Sequence, residues 1–329
     1  MELVCPAGNL PSLKTAIDNG ADTVYIGFGN ETNARHFMGL NFNESKARQG
    51  VEYAHSKNKK VYIAINTYPQ PSVWRRWAEA IDSSVRIGAD AIILADIGLM
   101  EYASKKYPKL NLHLSVQGSS TNYEALEYYY ENFGIKRAIL PRVLSVAQVK
   151  KTISNTPVDI EVFGFGSLCV MVEGRCILSS YVTGRSPNTY GACSPASHVE
   201  YIQNETKLET RLGGVVIDSY SDNETAGYPT LCKGRFKSMG STYYALEEPT
   251  SLNALEILPE LNSIGVKAIK LEGRQRSPAY IKTITKTWAE AIKQLDRGSY
   301  KTKKEWNQAL AEVSEGCQTT LGAYHRSWQ

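Results

Sequence analysis

The segment EVFGFGSLCVMVEGRCILSS, residues 161–180, contains the features on which the interpretation of the whole chain depends. The largely apolar run at residues 160–163, where the segment begins, predicts a strand that leaves a buried core. A glycine-rich turn follows the strand, and Cys169 and Cys176 come directly after it. Two more cysteines, Cys193 and Cys232, lie further along, and each of the four stands close to a glycine or proline. Because such sequence is typical of loops, the four thiols can converge on one point.

The chain before this segment alternates short apolar stretches with longer amphipathic ones. Seven such β–α units precede residue 167, and the alternation resumes with an eighth strand at residues 268–271. Eight parallel strands with crossover helices predict an α/β fold, a (β/α)8 TIM-like barrel. An open doubly wound sheet is the alternative, but the first β–α turn lacks the G-x-G-x-x-G fingerprint of nucleotide-binding folds.

The alternation breaks between the seventh and eighth strands, where turns and hairpin-like segments replace helices. We therefore predict that residues 1–166 form the first seven β–α units of the barrel. Residues 167–250 form a cysteine-bearing, β-rich insertion after strand 7. Residues 251–300 supply the last β–α units that close the barrel, and residues 301–329 form a C-terminal tail.

The composition is that of an ordinary globular protein: 42% of the 329 residues are hydrophobic, 21% are charged, and the net charge is +4. This mild basicity permits an anionic substrate but gives little support to nucleic-acid binding. The first residues lack the basic and apolar regions of a signal peptide, and no run of about 18 apolar residues indicates a membrane span. We expect a cytoplasmic protein, in which six cysteines favour metal binding or redox chemistry over disulfides.

Four of the cysteines predict a metal centre. The predicted ligands are Cys169, Cys176, Cys193 and Cys232, with six, sixteen and thirty-eight residues between successive members. An iron–sulfur cluster is favoured over zinc, because the C-x-x-C pairs of zinc ribbons and fingers are absent from this set. Unrelated buried thiols are the alternative, because a C-x6-C spacing is not specific by itself. Cys5 and Cys317 receive no ligand role.

The segment around the first two cysteines also resembles a known family. Residues 161–179 match E-x-F-x-x-G-S-L-C-x-x-x-x-G-x-C-x-L-S, which is similar to the signature of the U32 peptidase-like family. The similarity extends over nearly the whole chain. Further stretches resemble the ubiquinone-biosynthesis members of the family: TNARHFMGLNF (32–42), SPNTYGACSPA (186–196), AGYPTLCKGR (226–235) and EGRQRSPAY (272–280).

This resemblance implies that the four cysteines hold a [4Fe–4S] cluster. It also implies a heterodimer with a UbiV-like paralogue that acts in anaerobic ubiquinone biosynthesis. The pair would hydroxylate the ring of a ubiquinone precursor without O2, with prephenate as the oxygen donor. The peptidase label of the family finds no support, because the chain contains neither a G-x-S-x-G elbow nor an H-E-x-x-H motif.

Polar and charged residues follow the predicted strands, at the end of a barrel where chemistry occurs. The candidate substrate-binding residues are Arg35, Asn66, Gln117, Arg142 and Arg274. The candidate catalytic residues, whose side chains are able to move protons, are Asp96, Glu272 and His36. The arginines suit the two carboxylates of prephenate. Ion pairs that close the barrel mouth, or ordering of loop backbone by the two amides, are the alternative roles.

Two other functions stay open. An RNA base hydroxylase is the first alternative, because similar U32 proteins modify tRNA or rRNA bases. Against it, the Lys-rich stretch at residues 301–304 is short for an RNA-binding arm. A non-catalytic scaffold with structural zinc is the second alternative. Analysis of iron, sulfide and zinc separates the scaffold from an enzyme, and binding of bulk RNA separates the two substrate classes.

Overall fold

A computed structural model describes residues 1–37, 39–169, 176–204 and 206–326 of the chain. Seven parallel strands follow one another along its first half. They are β1 (Glu2–Pro6), β2 (Thr23–Gly27), β3 (Lys60–Ile65), β4 (Ala91–Leu94), β5 (Leu112–Leu114), β6 (Arg137–Ile139) and β7 (Asp159–Ser167). The helices that connect them are α1 (Leu10–Asp18), α2 (Glu44–Ser56), α3 (Trp74–Arg86), α4 (Ile97–Lys106), α5 (Tyr123–Phe133) and α6 (Val146–Ser154).

The local sequence explains these elements. Every residue of β2 and of β4 is buried, as expected for strands that helices cover on one face and a barrel core on the other. Trp77 and Ile81 of α3 are fully buried at the helical spacing of four residues. Asn9 caps α1 by accepting from the backbone of Ser12, and a capping box begins α6.

In its described residues, the insertion after β7 contains two short helices, a three-stranded antiparallel sheet and a two-stranded antiparallel sheet. Its elements are α7 (Ile177–Thr183), α8 (Pro187–Tyr190), β8 (Val199–Asn204), β9 (Lys207–Leu212), β10 (Val215–Tyr220), β11 (Arg235–Ser238) and β12 (Ser241–Tyr244). Then β13 (Ser251–Asn253) returns to the barrel and pairs antiparallel with the end of β7.

The barrel closes after the insertion. The remaining elements are α9 (Leu258–Ser263), β14 (Ala268–Leu271), α10 (Pro278–Asp296), α11 (Lys304–Glu312) and β15 (Thr319–Thr320). Strand β14 pairs in parallel with both β1 and β7, so that eight parallel strands form a closed ring. The predicted (β/α)8 TIM-like barrel with a β-rich insertion after strand 7 is therefore confirmed.

The C-terminal segment packs on the barrel. Strand β15 pairs with β13, and the buried hydroxyl of Tyr324 donates to the carbonyl oxygen of Phe163 at 2.6 Å. This segment thus contributes to the sheet edge beside β7. Within the described ranges, no helix is both long enough and apolar enough to cross a bilayer.

The barrel interior contains a chain of buried charges. Glu161 of β7 is fully buried, and its two oxygens accept from Lys270 Nζ at 2.7 Å and from an Arg137 nitrogen at 3.3 Å. Arg137 also donates to Glu2 at 2.6 Å. Because buried charges are stable only when they are paired, each of these groups depends on its neighbours.

Candidate active site

One cavity lies at the carboxyl ends of the barrel strands, and both the barrel and the insertion form its wall. Barrel residues that line it include Asn66 after β3 and Glu272 directly after β14. This is the end of a (β/α)8 barrel at which substrates bind. The cysteines that line the same cavity are Cys169, Cys176, Cys193 and Cys232. The structure therefore brings all four predicted ligands to the wall of one cavity.

Short loops and helix ends position the four thiols. Cys169 follows the end of β7, and Cys176 is the N-cap of α7, where its sulfur accepts from Ser179 N at 3.4 Å. The hydroxyl of Ser179 donates to the carbonyl oxygen of Cys193 and so joins α7 to the next loop. Cys232 lies in a single 3-10 turn before β11.

The thiols share one environment. Burial, and then the nearness of the other three cysteines, raise the pKa of the Cys232 thiol to about 12. That thiol is protonated without metal, and metal binding has to release its proton. Among the residues that the structure describes, no three His, Cys, Asp or Glu side chains already stand close enough together to hold a metal ion. The donor set nevertheless fits an iron–sulfur cluster in kind and number, because such clusters take four thiolates from loops.

Two of the predicted arginines are paired with a carboxylate. Arg35 and Arg142 contact the two oxygens of Glu272 at 2.9 and 2.6 Å. Burial by itself would raise the pKa of Glu272, but the two guanidinium groups lower it to about 2. Gly166 allows Glu272 to lie against β7, since a Cβ at this glycine would be 2.5 Å from the Cβ of Glu272. At neutral pH Glu272 is therefore an ionised counter-ion, which disfavours it as a proton donor.

Arg274 differs from Arg35 and Arg142 in its hydrogen-bond partner, which is an amide and not a carboxylate. Its side chain lines the cavity and is 6% exposed, and it donates to the Asn33 side-chain oxygen at 2.6 Å. Among the carboxylates of the described residues, none forms an ion pair with Arg274. Burial lowers the pKa of Arg274 to about 10. A buried cation without an anion is costly, so this position favours an anionic ligand.

The two predicted amides have different surroundings. Asn66 accepts from the backbone of Ala34 at 3.1 Å and donates to Ser115 at 3.3 Å, so its side chain orders the adjoining loops. Gln117 is 3% exposed and also lines the cavity, but in the described part of the chain its side-chain oxygen has no hydrogen-bond partner. Gln117 therefore offers a free acceptor to a ligand, whereas Asn66 is occupied.

Two predicted catalytic residues do not line the cavity. Asp96 is the N-cap of α4 and accepts from the backbone of Leu99 at 2.9 Å. His36 follows Arg35 in the same loop, and burial lowers the pKa of its imidazole. Neither is among the cavity-lining residues. Their catalytic role stays a prediction that this geometry does not support.

The sequence patterns missed Lys270, a buried residue that also lines the cavity. Its ammonium is 3.8 Å from the ring centroid of Tyr25, and both residues line the cavity. Burial lowers the pKa of Lys270, and Glu161 opposes that shift. The signal was present in the sequence: a lysine inside the apolar strand AIKL, residues 268–271, has to point into a barrel or pair there.

Together, these features define a (β/α)8-barrel protein with a site formed by thiols and arginines. A family model described as peptidase family U32 matches residues 8–327 of the chain. The chain therefore belongs to the U32 peptidase family, as the signature around Cys169 predicted.

Known proteins similar to this chain carry different names. It is 34% identical over 311 residues to an uncharacterized protease of Methanocaldococcus jannaschii, and the match covers 93% of this chain and 68% of that protein. It is 29% identical over 335 residues to the tRNA hydroxylation protein P of Escherichia coli, covering 96% of this chain and 72% of that protein. The solved structure of the U32 peptidase Mk0906 aligns with 84% of this chain and 94% of its own, with a TM-score of 0.51 and 11% identity. The last similarity concerns the fold alone.

Proposed function

We propose that this protein is the iron–sulfur subunit of an oxygen-independent hydroxylase. The observation that carries the proposal is the shared cavity, where four cysteines of the insertion and its boundary meet the arginines at the barrel strand ends. A relative named as a tRNA hydroxylation protein supports hydroxylation as the reaction class. A bound [4Fe–4S] cluster would supply single-electron chemistry, and Cys169, Cys176, Cys193 and Cys232 would hold it.

The cationic side of the cavity suits an acidic oxygen donor. Arg35 and Arg142 share the one carboxylate of Glu272, and Arg274 is buried without one among the described residues. These guanidinium groups can bind and orient a dicarboxylate through charge-assisted hydrogen bonds. Prephenate, which the family resemblance implies as the oxygen donor, is such a molecule. Of the three arginines, Arg274 would make the most direct contact with a carboxylate of prephenate.

The proposed acceptor is the ring of a ubiquinone precursor. The sequence motifs of this chain resemble those of the ubiquinone-biosynthesis protein UbiU. This resemblance implies a UbiV-like paralogue as the partner in a heterodimer. Gln117 supports a substrate that carries a hydrogen-bond donor such as a phenolic hydroxyl, because its buried oxygen is free to accept. Closure of the cavity by bound substrate would exclude water around the reacting groups.

An RNA base hydroxylase is the second candidate. The observation that favours it is the similarity to the tRNA hydroxylation protein P of Escherichia coli over 96% of this chain. In that case, a nucleobase would take the place of the quinone precursor, and its exocyclic amine would be a donor for Gln117. Such an enzyme needs a basic surface for the phosphates, and the net charge of +4 is modest support for one.

Anaerobic co-purification with the paralogue tests the proposal. Iron, acid-labile sulfide and EPR are measured on the complex, which is then incubated with a phenolic quinone precursor in the absence of O2. We expect iron and sulfide, and hydroxylated product only when prephenate is added. Zinc without iron or sulfide would refute the cluster and favour a scaffold. Tight binding of bulk tRNA at moderate salt, with no hydroxylation of the phenolic precursor, would replace the quinone by RNA.

A further inference from the structure

A single carboxylate joins three parts of the cavity wall. Glu315 lies just after α11 and lines the cavity. One of its oxygens accepts from the hydroxyl of Ser167 at 2.6 Å and from Arg276 at 3.2 Å. Its other oxygen contacts the ammonium of Lys233. The patterns in the sequence assigned no role to any of these four residues.

The partners of Glu315 stand next to the site residues along the chain. Ser167 ends β7 two residues before Cys169, and Lys233 follows Cys232 directly. The Lys233 side chain is only 10% exposed, so water screens its charge poorly. Glu315 therefore contacts the segments that carry two of the four cysteines.

The barrel holds this carboxylate in place. The backbone N–H of Glu315 donates to the hydroxyl of Ser251 at 3.0 Å, and β15 pairs with β13 a few residues later. The buried bond from Tyr324 to Phe163 fixes the segment beyond it. Because β13 is paired with β7, the barrel sheet helps to hold Glu315 in position, and this position does not depend on the insertion alone.

We propose that Glu315 is a positioning residue for the cysteine centre and that it balances the charge of Lys233 beside Cys232. The proposal rests on the proposed function, because it concerns iron bound at the cysteines. The first effect is geometric, since Glu315 holds the Cys169 and Cys232 segments at one fixed point. The second effect is electrostatic. A cation near the centre whose charge is not balanced stabilises the more negative, reduced state of the centre. It therefore raises the reduction potential of the centre.

Two substitutions of opposite sign test the electrostatic effect. Glu315→Gln keeps the size of the side chain and a bond to Ser167 but leaves the Lys233 charge unbalanced. We expect an upward shift of the midpoint potential in an EPR-monitored redox titration of the anaerobic complex. Lys233→Gln leaves the Glu315 carboxylate without this cation, and we expect a downward shift. A general loosening of the site would not move the potential in opposite directions in the two variants.

Glu312→Gln is the matched control, because Glu312 is exposed in the same segment and bonds only to Gln308 at 3.2 Å in the described structure. Its potential should equal that of the unaltered protein. The inference is overturned if the unaltered complex contains the cluster and Glu315→Gln and Lys233→Gln both titrate at its midpoint. If Glu315→Gln loses iron while its urea midpoint is unchanged, the geometric effect is established. An unaltered complex without iron and sulfide would instead remove the proposed function, and this inference with it.

Discussion

Replacement of Arg274 by methionine should weaken the binding of prephenate, the proposed oxygen donor, without destabilising the protein. The guanidinium is buried and has no ion-pair partner among the described carboxylates, so its charge is a cost in the free protein. Its hydrogen-bond acceptor, the side-chain oxygen of Asn33, still receives the backbone N–H of Arg35 at 3.0 Å when the guanidinium is removed. The substitution therefore leaves the Asn33 oxygen with a hydrogen-bond donor.

The expected magnitude follows from the charge of the lost contact. A hydrogen bond between charged groups contributes about 1.5–3 kcal/mol. Removing it should raise the dissociation constant of prephenate roughly ten- to a hundredfold. The free energy of unfolding should stay equal or rise, because a methionine of similar length fills the space without a buried charge.

Calorimetric titration with prephenate and urea denaturation measure the two effects on the same preparations. Arg75→Met is the matched control, since Arg75 is exposed on α3 and does not line the cavity. The control should change neither quantity. If Arg274→Met binds prephenate with unaltered affinity, the assignment of this arginine to the donor is wrong. A large loss of stability instead would mean that Arg274 is a structural residue.

Three further predictions concern the proposed cluster, the barrel and acid stability. Replacing any one of the four cavity cysteines by alanine should abolish the visible absorption of the anaerobic protein, whereas Cys317→Ala should retain it; equal loss in the latter would contradict the ligand set. Glu161→Gln should lower the free energy of unfolding by about 3–5 kcal/mol, because Lys270 and Arg137 lose their shared buried partner. The control is Glu260→Gln, because Glu260 is exposed. A loss below about 1 kcal/mol in Glu161→Gln would show that the ion pairs are not needed for stability. The pKa of Glu272 falls from 4.5 to about 2 in the folded protein, so the contribution of this carboxylate to stability is complete above pH 4.5 and is lost as the pH falls towards 2. In Glu272→Gln, the urea midpoint should therefore decrease less steeply as the pH is lowered below 4.5. An unchanged decrease would refute this.

The sequence predicted the barrel because its signals are local. Each strand is a short apolar run and each helix has its own period, and β14 is recognisable in the same way after the insertion. The meeting of the cysteines at one cavity followed from their loop context. The role of Asp96 was harder to predict for a physical reason: a carboxylate directly after a strand can face a barrel mouth or cap the next helix, and here it caps α4.

Contacts between distant parts of the chain could not be predicted. The pairing of Arg35 and Arg142 with one carboxylate depends on how three strand ends meet, and in the described part of the chain that geometry leaves Arg274 bonded to Asn33 and without a carboxylate partner. The contacts of Glu315 could not be predicted, because the sequence next to it does not indicate Ser167 or Lys233 as partners. Such contacts arise only after the barrel has closed.

The late position of β14 also has a consequence for biosynthesis. Strands β1 and β7 both pair with β14, so each presents an open edge until residue 268 has left the ribosome. Open edges of β-strands attract other chains, and nascent chains fold from the N-terminus. The whole insertion emerges during this interval. A mutation that slows folding of the insertion should therefore appear first as aggregation of newly made protein, before any defect is detectable in the mature molecule.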